Sequence, residues 1–204
     1  MQFYYPSYIR NVFSHLAQKE VNNSWLLFDT ISETAGYSCI VDSSKEIMQM
    51  KFLHEKRPND VHVVVLIRDI LGVSASAVKR GKDPLVEAKE WVHHYTQTLR
   101  ILKKTSNLKI IVVFYEELAE HPQKIRDKIA RFLGINVPKE PVRIDTRENH
   151  LVAGNPMRYK GRISIRYDDS WKNVLEEGII DKINTMKVEF APILKELQEI
   201  CWDG

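Results

Sequence analysis

With 204 residues, 44% of them hydrophobic and 28% charged, the chain has the composition of a soluble globular domain with a substantial core. The 30 Lys and Arg against 27 Asp and Glu leave a formal charge of +3, too small a surplus to argue for nucleic acid or a membrane surface as partner. No run approaches the ~18 apolar residues of a membrane span. Arg10, His15, Lys19 and Glu20 interrupt any leader-peptide core, so a cytoplasmic location is expected.

In chain order, Ile9, Val12, Phe13 and Leu16 stand at helical spacing and predict a helix from about Pro6 to Glu20. A second helical stretch, Trp25–Glu33, leads to Gly36. A short apolar strand is expected at Ser38–Val41, ending in Asp42-Ser43-Ser44-Lys45, and its Cys39 is expected to be a buried free thiol. Residues 46–56 resume helical spacing, and Arg57-Pro58-Asn59-Asp60 reads as a turn. Val61–Ile67 (VHVVVLI) has the near-continuous apolar character of a parallel strand buried on both faces.

A helix is expected at about Ile70–Arg80. Asp83-Pro84 then opens a long one, with Asp as N-cap and Pro in the first position. Its inner face runs through Leu85, Ala88, Val92, Tyr95, Leu99 and Leu102, and Trp91 is also read as core. Leu108–Phe114 (LKIIVVF) is a further strand. Pro122 starts a helix whose apolar stripe, Ile125, Ile129, Phe132 and Leu133, stops at Gly134. Strands alternating with helices predict an α/β fold, a mainly parallel sheet with helices on both faces, in one domain over 1–204. Ligands in such sheets sit at the carboxyl ends of strands.

Arg68 stands at such an end, and Ser76 follows eight residues on. An Arg there presents a planar, permanently charged fork to an anion. The next helix aims its N-terminal amides at the same place, and a Ser within that helix adds a hydroxyl. Together these residues read as a phosphate clamp. The plainer reading of Arg68-Asp69 is a strand-end ion pair capping the next helix, and Asp42-Ser43-Ser44 reads equally as an N-cap series.

LIRDILGVSASAVKR resembles the 3′-phosphate motif of the sulfotransferase family. Three further segments are similar in order and spacing: IVDSSK (Ile40–Lys45), FYEELAEHPQKIRDKIARFLGI (Phe114–Ile135), and HLVAGNPMR (His150–Arg158) followed by Trp171. The resemblance, to bacterial and carbohydrate-type members, spans roughly residues 35–175. It implies a P-loop-like fold and transfer of a sulfuryl group from 3′-phosphoadenosine 5′-phosphosulfate to a hydroxyl or amine acceptor. Catalysis of that kind rests on positioning and charge neutralisation. By the resemblance, Arg68 and Ser76 would hold the 3′-phosphate. Arg158, with backbone amides near Gly154 and Asn155, would close over the donor. The segment after Ile40–Val41 carries no His where part of the family has its general base, so Asp42 is the candidate proton acceptor and Lys45 the group that neutralises the leaving oxygen. Arg and Lys would supply the positive charge, and no metal is expected.

One family feature is not seen in the sequence. The loop that holds the 5′-phosphosulfate is rich in Gly, which lets backbone amides approach the phosphates, yet the first glycine here is Gly36. The expectation is therefore a chain lacking the first strand and its loop, truncated at its N-terminus, with an edge open to self-association. Two readings follow: a sulfotransferase, or an inactive fragment or degenerate homologue that at most binds adenosine 3′,5′-bisphosphate. A kinase or NTPase is disfavoured because no G-x-x-x-x-G-K-[ST] segment is present.

Overall fold

The structure is a computed structural model that describes residues 7–137, 144–145, 162–163 and 167–201, with side chains described for 19–137 and 167–201. In chain order the elements are α1 (Ser7–Ala35), α2 (Ile47–Lys56), β1 (His62–Ile67), α3 (Ile70–Val78), α4 (Pro84–Lys103) and β2 (Lys109–Phe114). They continue with α5 (Tyr115–Glu120), α6 (Pro122–Leu133), β3 (Ile144–Asp145), β4 (Arg162–Ile163), α7 (Trp171–Val174) and α8 (Glu177–Glu199). The contacts divide the chain into two compact units, one of Met1–His62 with Arg100–Leu108, the other of Val63–Leu99 with Lys109–Gly204.

In the first unit the two helical segments expected before Gly36 are one continuous helix, α1. The Asn22-Asn23 pair between them costs only about 0.5 kcal/mol per residue in helix propensity, too little to break it. Gly36, at φ +69°, ends α1 in the left-handed conformation. Asp29 of α1 receives both arms of the Arg57 guanidinium, at 2.8 and 2.6 Å, and that guanidinium lies 4.4 Å from the Trp25 ring centre. The Arg57 hydrogen bonds hold the Asp29 carboxyl below its usual range. His54 is buried on α2, its Nε2 paired with the Ser106 carbonyl at 2.9 Å.

The strand expected at Ser38–Val41 does not form. Residues 38–46 have no regular structure, and Cys39 is exposed rather than buried, although free of any disulfide. An isolated apolar run gains burial and backbone pairing only from a neighbouring strand, and no described strand pairs with this one.

In the second unit β1 and β2 form a two-stranded parallel sheet, and β3 pairs with β4 antiparallel, Ile144 opposite Ile163. β2 is the strand buried on both faces: Ile110, Ile111, Val112 and Val113 are all buried, against α5, α6 and α8. β1 departs from the expectation. Val65 and Ile67 are buried, but Val64 and Leu66 on its other face are 42% and 49% exposed. Continuous apolar sequence therefore marked a strand correctly, while its second face stays open among the described residues.

The caps expected at Asp83 and Gly134 hold. Asp83 accepts from the amides of Leu85 and Val86 at the start of α4, and Gly134 closes α6 at φ +66°. On α4, Ala88, Trp91, Leu99 and Leu102 are buried, as the helical spacing indicated. Trp91 packs edge-on against both Tyr95 and Phe190 of α8.

Two carbonyls at the carboxyl end of β1 are taken by α4: Tyr95 donates its hydroxyl to Leu66 O at 2.8 Å, and Trp91 Nε1 donates to Arg68 O at 3.1 Å. They belong to residues i and i+2 and so face the same edge of the strand. Burial, with the nearby Glu116 charge, pushes the Tyr95 hydroxyl up to about 12. An unfolded tyrosine ionises near ~10, so the folded state holds this proton more tightly. Its stabilising effect is complete below pH ~10 and is lost as pH rises towards 12. Tyr95→Phe should cost about 1 kcal/mol at pH 8 and should flatten the alkaline fall in stability, both read by urea unfolding at pH 8 and 11.

Candidate functional site

The polypeptide leaves β1 through the two-residue turn Arg68-Asp69, whose Arg68 carbonyl, Asp69 amide and Asp69 carboxylate each have a partner. The Arg68 carbonyl accepts from Trp91 of α4, and the Asp69 amide donates to Glu116 Oε1 of α5 at 3.0 Å. Asp69 is the N-cap of α3, its Oδ1 accepting from the Leu71 amide at 2.9 Å. Its other oxygen is ion-paired with Lys187 of α8. The capping reading of Asp69 is thus correct, and it coexists with an outward-directed Arg68.

The Arg68 side chain is 28% exposed. Its guanidinium lies 5.0 Å from the Tyr115 ring centre and pairs through Nη2 with Asp168 Oδ2 at 2.7 Å. It also runs across Gly72 of α3, where a Cβ would stand only 3.0 Å from Nε and 3.4 Å from Nη2. A Cβ at 72 would therefore press on the Arg68 guanidinium, which would have to shift by a few tenths of an ångström. Ser76 lies one turn further along α3, half-buried, and its Oγ accepts from Arg80 Nη1 at 2.9 Å.

Beside this row runs a second one. Lys79 donates to Ser170 Oγ at 2.7 Å, and the Ser170 amide donates to Asp168 Oδ1 at 3.1 Å. The Ser170 hydroxyl and amide, then the charges of Arg68 and Lys79, hold the Asp168 carboxyl below its usual range, against the opposing effect of burial. The 168–170 segment is anchored by α7, which packs on α3.

Asp42 and Lys45 belong to the first unit. Asp42 Oδ1 accepts from the Ser44 amide at 2.8 Å, a local turn of its own. The following helix starts only at Ile47, with Glu46 as N-cap, so the N-cap reading of Asp42-Ser43-Ser44 is corrected. Lys45 is exposed and sits at φ +66°, a left-handed backbone that costs a non-glycine residue roughly 1 kcal/mol. Gly154, Asn155 and Arg158 lie outside the described residues. Two open grooves, about 510 Å³ between α4 and α8 and about 520 Å³ between α1 and α2, contain neither Arg68 nor Ser76 in their walls.

The sulfotransferase domain model matches residues 45–201. The chain belongs to the sulfotransferase domain family. Comparison with curated proteins and with solved structures returned no match. Membership carries the P-loop-like α/β class and sulfuryl transfer as the general chemistry, and the small parallel sheet among helices is compatible with that class. Lys45, Arg68, Ser76, Gly154, Asn155 and Arg158 fall within the matched span, and Asp42 stands just before it.

Sequence reasoning missed Glu116, Asp168 and Lys187, which hold the Arg68-Asp69 turn from afar. Glu116 was within reach, being a carboxylate directly after a strand end. Asp168 and Lys187 carry no local signal, because they meet the turn only through tertiary packing. A carboxyl with a depressed ionisation stabilises the fold above its unfolded value, near ~3.9, and that contribution is lost as pH falls through the folded value. Asp168→Asn should therefore lower stability at pH 7 by no more than about 1 kcal/mol for so exposed a pair, read by urea unfolding. The gap to the wild type should narrow as pH falls below the unfolded carboxyl value, ~3.9.

Proposed function

We propose that the chain binds 3′-phosphoadenosine 5′-phosphosulfate and transfers its sulfuryl group to a hydroxyl or amine acceptor. The observation that carries this reading is the placement of Arg68: a charged, partly exposed fork at the carboxyl end of a parallel strand, in line with Ser76, within a sulfotransferase domain. Arg68 and Ser76 hold the 3′-phosphate. The amides near Gly154 and Asn155, with Arg158, close over the donor. Tyr115 backs the Arg68 fork, and a cation placed on an aromatic face is less free to swing into solvent.

In the transfer step a lone pair of the acceptor oxygen or nitrogen attacks sulfur, and the bond from sulfur to the bridging oxygen breaks. That bond's electrons stay on the 5′-phosphate, so adenosine 3′,5′-bisphosphate leaves. The acceptor's proton passes to Asp42, and Lys45 offsets the charge growing on the bridging oxygen. Both are first-unit residues, and both can be tested without disturbing the backbone. Asp42→Asn keeps an acceptor for the Ser44 amide and removes the base. Lys45→Gly suits φ +66° and removes the amine.

Calorimetric titration with adenosine 3′,5′-bisphosphate should give micromolar binding that Arg68→Ala abolishes. Asp42→Asn and Lys45→Gly should keep that binding and lose at least about tenfold in transfer rate, the low end of what proton transfer and charge neutralisation contribute. No binding by the folded wild-type chain would overturn the donor assignment. Gly72→Ala separates stability from function. Ala is favoured over Gly in a helix by up to about 1 kcal/mol, so the melting temperature should hold or rise. The new Cβ displaces the Arg68 guanidinium, so bisphosphate affinity should fall by an amount titration can resolve.

A further inference from the structure

The hydroxyl of Ser76 is held differently from those of Ser24, Thr30, Thr96 and Thr185. Each of these helical hydroxyls donates its proton to the carbonyl four residues earlier, at 2.8–3.0 Å. That is the ordinary resting place of a Ser or Thr proton in a helix. Ser76 instead accepts a hydrogen bond, from Arg80 Nη1. A guanidinium is donor only, and a serine hydroxyl has one proton and two lone pairs. Arg80 therefore occupies a lone pair and leaves the Ser76 proton to be given elsewhere. Among the described residues no group accepts it.

The row next to it also sets a cation against a hydroxyl: Lys79 donates to Ser170 Oγ, while the Ser170 amide donates to Asp168 Oδ1. Arg80 and Ser76 make the same cation–hydroxyl pair, on the α3 face that carries Gly72 and the Arg68 guanidinium one turn away, about 6 Å along the axis.

The position of Arg80 is also fixed by the backbone. α3 ends at Val78, and the chain closes through Arg80 N to Ala77 O and Lys82 N to Ala77 O, with Gly81 at φ +72°. Glu87 steadies the outer edge of the guanidinium at 3.4 Å, an oxygen pair it shares with Lys82. At 52% exposure the side chain keeps donors available to an incoming ligand.

We propose that Arg80 is a positioning residue of the 3′-phosphate seat: it turns the Ser76 hydroxyl so that its proton points into the anion, and it places a second guanidinium beside Arg68. The proposal rests on the donor reading given above and adds to it. A phosphate dianion would then meet an Arg fork at one end of the row, an oriented hydroxyl in the middle and a second Arg at the other.

The test is calorimetric titration with adenosine 3′,5′-bisphosphate at fixed ionic strength, comparing wild type, Arg80→Gln, Ser76→Ala, the double variant and Arg68→Ala. Thermal melts of each establish that it is folded. Arg80→Gln and Ser76→Ala should each weaken binding about tenfold, which corresponds to about 1.4 kcal/mol. The double variant should be little weaker than either alone, because one residue acts through the other. Arg80→Lys, which retains the charge and a donor, should recover part of the loss. Unchanged binding by Arg80→Gln with loss in Arg68→Ala would overturn the proposal and leave the donor reading standing. Strictly additive losses would also overturn it, reducing Arg80 to bulk charge. Absence of binding by the folded wild type would remove both.

Discussion

The second unit depends on how the Arg68-Asp69 turn is held. Its carbonyl, amide and carboxylate are assigned to three different helices: α4 through Trp91, α5 through Glu116, and α8 through Lys187. Polar groups withdrawn from water at a partly buried turn need such partners. Satisfying them from surrounding elements leaves the Arg68 side chain partly exposed and paired with Asp168. The same ties couple core to site. Trp91 is a buried ring packed on Phe190 and Tyr95, and its only polar atom is the donor that holds the turn.

Charge is balanced locally along α3. Arg68 faces Asp168, Lys79 reaches the same carboxylate through Ser170, and Arg80 shares Glu87 with Lys82. A concentration of cations along α3 therefore coexists with a formal charge of only +3 for the whole chain. These pairs are partly exposed, so each contributes little to stability. Their effect lies in orientation: each partner fixes where its guanidinium or ammonium group sits.

The first unit is stitched differently. Arg57 spans from the end of α2 to Asp29 of α1 with a bidentate fork while lying over Trp25, so one side chain supplies both an ion pair and a cation–aromatic contact. Its surface retains apolar residues, Leu26, Leu27 and Tyr37 among them, and Val41 is 82% exposed in the segment expected as a strand.

Local chemistry was legible from sequence wherever a few consecutive residues decide the outcome. Asp83-Pro84 opened α4, Gly134 closed α6, the apolar runs marked β1 and β2, and Arg68 stood at a strand's carboxyl end with Ser76 on the helix that follows. Caps, turns and strand-end placement depend on neighbours in the chain, so sequence alone determined them. Tertiary structure decided what depends on distant partners. Only packing could show that, among the described residues, the run at Ser38–Val41 has no strand beside it and one face of β1 stays open, and that Asp168 and Lys187 close on a turn a hundred residues earlier. The physical reason is the same in each case. A backbone hydrogen bond in a sheet, the burial of a strand face and a long-range ion pair each need a second group whose position the local sequence does not encode.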